Sequence, residues 1–202
     1  MVIACNTASA LALPSLQASA TVPLVGVIGP GAEAAAAIAP TGSTALVLAT
    51  EATVASHAYA EACAAAGLGA VEKACPLFVP LVEEGWIDGS ITEQIAEVYL
   101  REALLLMPEL PSAIVLGCTH YPLLRPLLQR VVQGLAGPVP IVDSAEATAR
   151  RTAQMLPQAV ADTLVEPTIR FFATDSAAKF ARLGPHFLGR AIEHVESADL
   201  DG

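Results

Sequence analysis

The sequence is poor in charge. Only 15% of its 202 residues are Asp, Glu, Lys or Arg, and the basic ones are the scarcer, 10 against 20 acidic. A formal net charge of −10 leaves no basic surface of the kind that nonspecific nucleic-acid binding requires. Long hydrophobic runs are also missing. No stretch of about 18 strongly apolar residues is present to span a membrane, and residues 1–20 lack the basic start of a signal peptide, with polar Asn6, Thr7 and Ser9 interrupting the apolar run. Cysteine is sparse. Cys5, Cys63, Cys75 and Cys118 are scattered with no C-x-x-C pair, which argues against a zinc site built from cysteine. Low-complexity linkers are absent too. The expectation is a protein of the cytoplasm with reduced thiols, no metal, no membrane partner and no nucleic-acid partner.

What is present is apolar. The hydrophobic fraction is 54% and mean hydropathy is +0.57, the opposite of a disordered chain. Much of this is alanine, which favours helices packed closely on a sheet. The length allows one large domain or two small ones. Apolar strand patterns alternate with helical ones almost throughout, the signature of βαβ units and a mostly parallel sheet. Strands are expected at 24–28, 43–49, 70–74, 113–117, 139–142, 168–173 and 192–195. Helices are expected at 7–20, 33–39, 54–66, 91–107, 122–133, 145–156 and 176–183, and a short helix or turn at 77–84. Gly29-Pro30-Gly31 reads as a turn, and Asp143-Ser144 as the cap of the helix after it.

Two stretches stand out from this pattern. Val2-Ile3-Ala4-Cys5-Asn6-Thr7 and Val115-Leu116-Gly117-Cys118-Thr119-His120 are each an apolar strand that ends on a cysteine and hands over to a helix. Ligands of open α/β sheets bind outside the carboxyl ends of strands. A thiol there, at a helix N-terminus, is expected to titrate below its usual value of about 8.5. The neighbouring amides, with the hydroxyls of Thr7, Thr53 and Thr119, can hold a carboxylate. Two thiols facing one carbon can remove a proton from one side and return one from the other, which inverts a stereocentre. His120 could take or supply the proton that readies Cys118. Plainer roles remain open at this point. A cysteine in an apolar strand is ordinarily core, His120 could cap a helix or pair with an acid, Thr50 and Thr53 could be caps alone, and Glu83 and Glu84 could be a solvated helix end. Cys63 reads as packing and Cys75 as structural. His57, His186 and His194 have no motif context.

Longer matches carry a resemblance. Val2-Ile3-Ala4-Cys5-Asn6-Thr7-Ala8, Pro23 to Ile28, Thr50-x-x-Thr53, Ala74-Cys75-Pro76-Leu77-Phe78-Val79-Pro80-Leu81-Val82-Glu83, Leu116-Gly117-Cys118-Thr119-His120-Tyr121-Pro122-Leu123-Leu124, Asp143-Ser144-Ala145-Glu146-x-Thr148-Ala149 and Phe171-Phe172-Ala173-Thr174 together resemble glutamate racemase. The resemblance covers nearly the whole chain, in family order. It implies an α/β fold of two pseudo-symmetric domains with mostly parallel sheets flanked by helices, and a site between them. One domain would comprise residues 1–29 and 142–202, the other 30–141. It implies a cofactor-independent racemase that makes D-glutamate for peptidoglycan, with Cys5 and Cys118 as the two acid/base residues. Asn6, Thr7, Thr53 and Thr119 would bind substrate, His120 would assist Cys118, and Glu83 would lie near the site. Glutamate is the implied partner, and a homodimer is left open. Family members carry an upstream segment with an Asp-Ser pair that does not precede Met1 here, so the first domain is expected to be truncated at its N-terminus. Two alternatives follow: an inactive chain that keeps a binding role, and a related aspartate or hydantoin racemase.

Overall fold

Ala45 to Ala49 and Ala113 to Gly117 are apolar or glycine at every position and buried along their whole length. Strands of this kind need both faces covered, which only a parallel sheet between helices provides. In the computed structural model, which describes residues 1–156 and 168–199, that is their setting.

The chain runs β1 (Val2–Ile3), α1 (Asn6–Leu11), α2 (Leu13–Ser19), β2 (Val25–Gly26), α3 (Ile28–Ala36), β3 (Thr44–Ala49), α4 (Glu51–Ser56), α5 (Ala58–Ala65), β4 (Gly69–Ala74), α6 (Phe78–Glu83), α7 (Ser90–Leu105), β5 (Ala113–Gly117), a 3-10 turn (Tyr121–Leu124), α8 (Arg125–Ala136), β6 (Ile141–Asp143), α9 (Ala145–Met155), β7 (Phe172–Ala173), α10 (Ala177–Leu188) and β8 (Glu196–Ser197). The described residues fall into two compact units that divide at 157/158. In the first unit, four strands form a parallel sheet in the order β4-β3-β5-β6, and β1 pairs with β2, also parallel. In the second unit β7 pairs in parallel with β8, and α10 lies between them in sequence. The protein is thus α/β, with parallel strands flanked by helices.

Side chains alternate across a strand, and the sheet's two faces divide accordingly. Leu46, Leu48, Ile114 and Leu116 pack with Leu100 and Ala103 of α7 and Leu127, Leu128 and Val131 of α8. Ala45, Val47, Ala49, Ala113 and Val115 face Ala32 and Ala35 of α3 and Tyr59 and Cys63 of α5. Small residues on both sides of this second face let the helices approach closely. Burying each Leu or Ile on the first face contributes about 1.5–3 kcal/mol before entropy is charged against it.

The strand expectations hold in place and type for residues 43–49, 70–74 and 113–117, and the helix over 91–107 is α7. Elsewhere the structure corrects the sequence. The helix expected over 7–20 is two, because Pro14 lacks an amide hydrogen and instead occupies the first turn of α2. The helix expected over 54–66 breaks at His57, which takes a left-handed conformation with φ of 56°. Gly29-Pro30-Gly31 is not a turn but the first turn of α3, where a proline costs no hydrogen bond. The helix after Cys118 begins as the 3-10 turn and becomes α-helical only at Arg125. The Asp143-Ser144 cap of α9 holds, with Ser144 in the cap position and the Asp143 Oδ1 accepting from the Ala145 amide at 2.9 Å. The strand expected over 168–173 shortens to β7, and the last strand lies at β8 rather than 192–195, because the ladder opposite Phe172 and Ala173 is Glu196 and Ser197.

Candidate functional site

Cys5 ends the β1 segment and caps α1, its Sγ accepting from the Ala8 amide at 3.5 Å. Ser9, one turn on, ties this corner together. Its hydroxyl donates to the Ile3 carbonyl at 2.9 Å and accepts from the Val27 amide at 3.2 Å, so β1, α1 and the end of β2 are held as one piece. Cys118 follows the last residue of β5. A hydrogen bond joins the two corners: the Thr119 hydroxyl donates to the carbonyl of Ala4 at 3.3 Å, across 115 residues of sequence. The residue after one thiol therefore touches the residue before the other.

The two thiols differ. Cys5 is exposed and Cys118 is buried. Burial raises the Cys118 pKa above the ordinary thiol value, charge on Cys5 raises it further, and the amides of His120 and Tyr121 pull it back down. The expectation that a helix N-terminus lowers this thiol is thus corrected. The amides act in the foreseen direction, but loss of water outweighs them. The effect of Cys5 on Cys118 also means that the two sulfurs share one electrostatic neighbourhood.

His120 Nδ1 lies 3.9 Å from Cys118 Sγ, and its Nε2 lies 3.3 Å from Glu83 Oε1 at the end of α6. A thiol, an imidazole and a carboxylate in series are an arrangement able to pass a proton, with the acid placed to orient the ring. Glu83 and His120 are each about a quarter exposed, at 28% and 27%.

Hydroxyls gather on the other side. Thr7 Oγ1 is 2.9 Å from Thr50 Oγ1 and 3.2 Å from Thr53 Oγ1, and Thr50 and Thr53 are 3.0 Å apart. Thr7 lies in the first turn of α1, whereas Thr50 caps α4 at the carboxyl end of β3, its hydroxyl accepting from the Thr53 amide at 3.3 Å. Asn6 is buried, and its Oδ1 accepts from the Tyr59 hydroxyl at 2.7 Å.

Of the residues singled out in the sequence, Cys118, His120 and Glu83 form one cluster and Thr7 and Thr53 another, while Cys5 caps α1, Thr119 bonds to the Ala4 carbonyl beside Cys5, and Asn6 bonds to Tyr59. Thr50, read in the sequence as a possible cap, joins the hydroxyl cluster, and Tyr59, which was not singled out, bonds to Asn6. Thr50 carries a usable signal, being the first polar residue past a buried strand that parallels β5. Tyr59 carries none, because its partner is 53 residues away. Cys63 and Cys75 are core residues, pushed up by burial to about 11 and about 12. His57 pairs with Glu72 at 3.1 Å, away from these clusters. A cavity of about 630 Å³ between α3 and α9 contains none of the eight candidate site residues, and its lining includes charges already paired, Arg125 with Asp143 and Arg150 with Glu146. Among the described residues no group of three or more His, Cys, Asp or Glu is placed to hold a metal ion, and no helix is long and apolar enough to cross a membrane.

The sequence and its parallel α/β architecture match a known group of proteins. Residues 1–152 match the family model described as Asp/Glu/Hydantoin racemase. The chain is 48% identical to glutamate racemase of Koribacter versatilis, with all of this chain and 76% of that protein covered. It is 43% identical to glutamate racemase of Geobacter metallireducens, again over its whole length and 73% of the relative. Among solved structures, glutamate racemase isoform RacE1 from Bacillus anthracis superposes with a TM-score of 0.84 at 35% identity, covering 98% of this chain and 73% of that one. The Francisella tularensis glutamate racemase, solved in complex with D-glutamate, gives 0.84 at 29% identity, covering 99% and 73%. The chain belongs to the Asp/Glu/hydantoin racemase family and, within it, groups with the glutamate racemases.

Proposed function

We propose that this chain interconverts L- and D-glutamate without pyridoxal phosphate, using Cys5 and Cys118 as the two acid/base groups. In each direction one cysteine, as thiolate, takes the α-proton. The electron pair left behind is delocalised into the adjacent carboxylate. The other cysteine, as thiol, delivers its proton to the opposite face, and the two exchange protonation states at every turnover. His120 accepts the proton that Cys118 must lose to act as base, with Glu83 holding the imidazole and stabilising its cation. Asn6, Thr7, Thr53 and Thr119 bind the carboxylates and amino group, joined by Thr50.

The observation that carries this is the Thr119–Ala4 hydrogen bond, which brings the two cysteine corners to one place. The chemistry needs two opposed groups, and the relatives' shared name supplies the substrate. The product would serve peptidoglycan synthesis in the cytoplasm, and the active form would be a homodimer, which sedimentation of the chain in solution tests. The deciding measurement is D-glutamate formation from L-glutamate, together with solvent deuterium uptake at the α-carbon and no added cofactor. Failure of both rejects the proposal. Turnover of L-aspartate in preference to glutamate would move the chain to another member of the family.

A further inference from the structure

Tyr59 is fully buried in α5, in a slot walled by two glycines. A Cβ on Gly31 would stand 2.9 Å from its phenol oxygen, and one on Gly117 would stand 2.9 Å from its Cε2. Gly117 immediately precedes Cys118. On its polar end the ring reaches Asn6, which immediately follows Cys5, and donates to Asn6 Oδ1 at 2.7 Å. One side chain therefore touches the backbone beside one thiol and the side chain beside the other.

The direction of that hydrogen bond has a chemical consequence. Burial raises the phenol pKa far above its ordinary value, with charge on Cys63 and Cys118 adding to the effect, so the hydroxyl keeps its proton. Asn6 Oδ1 is its one acceptor among the described residues. An amide whose oxygen is engaged in this way must present its NH2 group to the other side. Asn6 is then a fixed donor beside Cys5, which is what a carboxylate oxygen needs and an ammonium group does not.

We infer that Tyr59 is a positioning residue for glutamate binding: by holding the Asn6 amide in one of its two flips, it makes Asn6 a hydrogen-bond donor to a substrate carboxylate. This rests on the proposed function of the two-cysteine site and adds to it a residue and a direction. Without the hydroxyl, the amide turns freely between donor and acceptor faces, and the acceptor face repels the carboxylate.

The test is Tyr59→Phe, which keeps the ring in its glycine slot. The Michaelis constant for both enantiomers of glutamate is expected to rise about tenfold, the worth of one hydrogen bond, with kcat changed by no more than about twofold and a melting temperature lower by several degrees for the lost buried bond. Asn6→Ala should raise the Michaelis constant at least as far, and adding Tyr59→Phe to it should do nothing more. A core role alone would lower the melting temperature and leave the Michaelis constant in place. An unchanged Michaelis constant in Tyr59→Phe overturns the inference, as do effects of the two substitutions that multiply. If the parent chain does not racemise glutamate, the proposed function fails separately, and calorimetric binding of D-glutamate to parent and Tyr59→Phe decides the inference. Weaker binding to the variant by a similar factor sustains it, and equal binding or none overturns it.

Discussion

The imidazole of His120 stands between a carboxylate and a thiol, 3.3 Å from Glu83 Oε1 through Nε2 and 3.9 Å from Cys118 Sγ through Nδ1. In the proposed mechanism that spacing puts Glu83 in the proton path, although it lies on α6, well before Cys118 in sequence. Glu83→Gln should lower kcat roughly 10- to 100-fold, the range for losing a hydrogen bond to a charged group. His120→Ala should cost more, about 100-fold or above. Steady-state racemisation followed by circular dichroism checks both. Equal kcat in Glu83→Gln and parent would remove the carboxylate from the path.

The two thiols should be separable by isotope exchange. Cys5→Ala and Cys118→Ala are each expected to abolish racemisation, a loss of at least about 100-fold. Any residual solvent deuterium uptake should be confined to one enantiomer, and to opposite enantiomers in the two variants. Uptake into both enantiomers by either variant would contradict a mechanism with one base on each face.

Thr50 should matter twice, for the helix and for the ligand. Its hydroxyl caps α4 and also lies 2.9 Å from that of Thr7. Thr50→Val should destabilise the protein by about 1 kcal/mol through the lost cap and raise the Michaelis constant for glutamate several-fold through the disordered hydroxyl cluster, roughly the worth of one hydrogen bond. Thr50→Ser, which retains the oxygen, should restore both. Thermal melts and initial rates on the two variants separate the cap from the cluster.

Alkaline pH should destabilise the fold through its buried thiols. Cys63 and Cys75 are raised by burial from 9.0 to about 11 and about 12. In the unfolded chain these thiols ionise near 9.0, while the folded chain still holds their protons. The unfolded state therefore binds fewer protons above that pH, and stability falls as pH rises. The contribution is intact below pH 9.0 and is lost progressively from there, up to about 11 for Cys63 and about 12 for Cys75. Denaturation midpoints measured between pH 8 and pH 11 should decline, with a shallower slope in Cys63→Ala. An unaltered slope in that variant would mean that other groups govern the decline.

Much of this was legible in the sequence because it was written locally. β3 and β5 carry buried apolar runs, and Thr50 and Cys118 stand directly after them, so their placement at one end of the four-stranded sheet follows from parallel strands alone, whereas Cys5 follows β1 of the separate β1–β2 pair and is joined to Cys118's corner by the Thr119–Ala4 bond. What was not legible depends on partners far along the chain. Tyr59 looks like one more large residue in an alanine-rich helix until Asn6 is seen opposite its hydroxyl. Thr50 looks like a cap, and it is one, but its second contact is with a residue 43 positions earlier. The break at His57 was hidden for another reason: left-handed backbone is expected at Gly or Asn, and histidine gave no warning of it. The titration of Cys118 went the other way from expectation because helix-end amides are visible in sequence and the extent of burial is not.

The contrast in solvent contact between the cysteines makes the chain open to selective labelling. A bulky maleimide meets Cys5 in bulk water, whereas Cys63, Cys75 and Cys118 are sheltered. One equivalent of reagent would mark a single position at the mouth of the proposed site, giving a place to hang a fluorophore that reports when that mouth is filled.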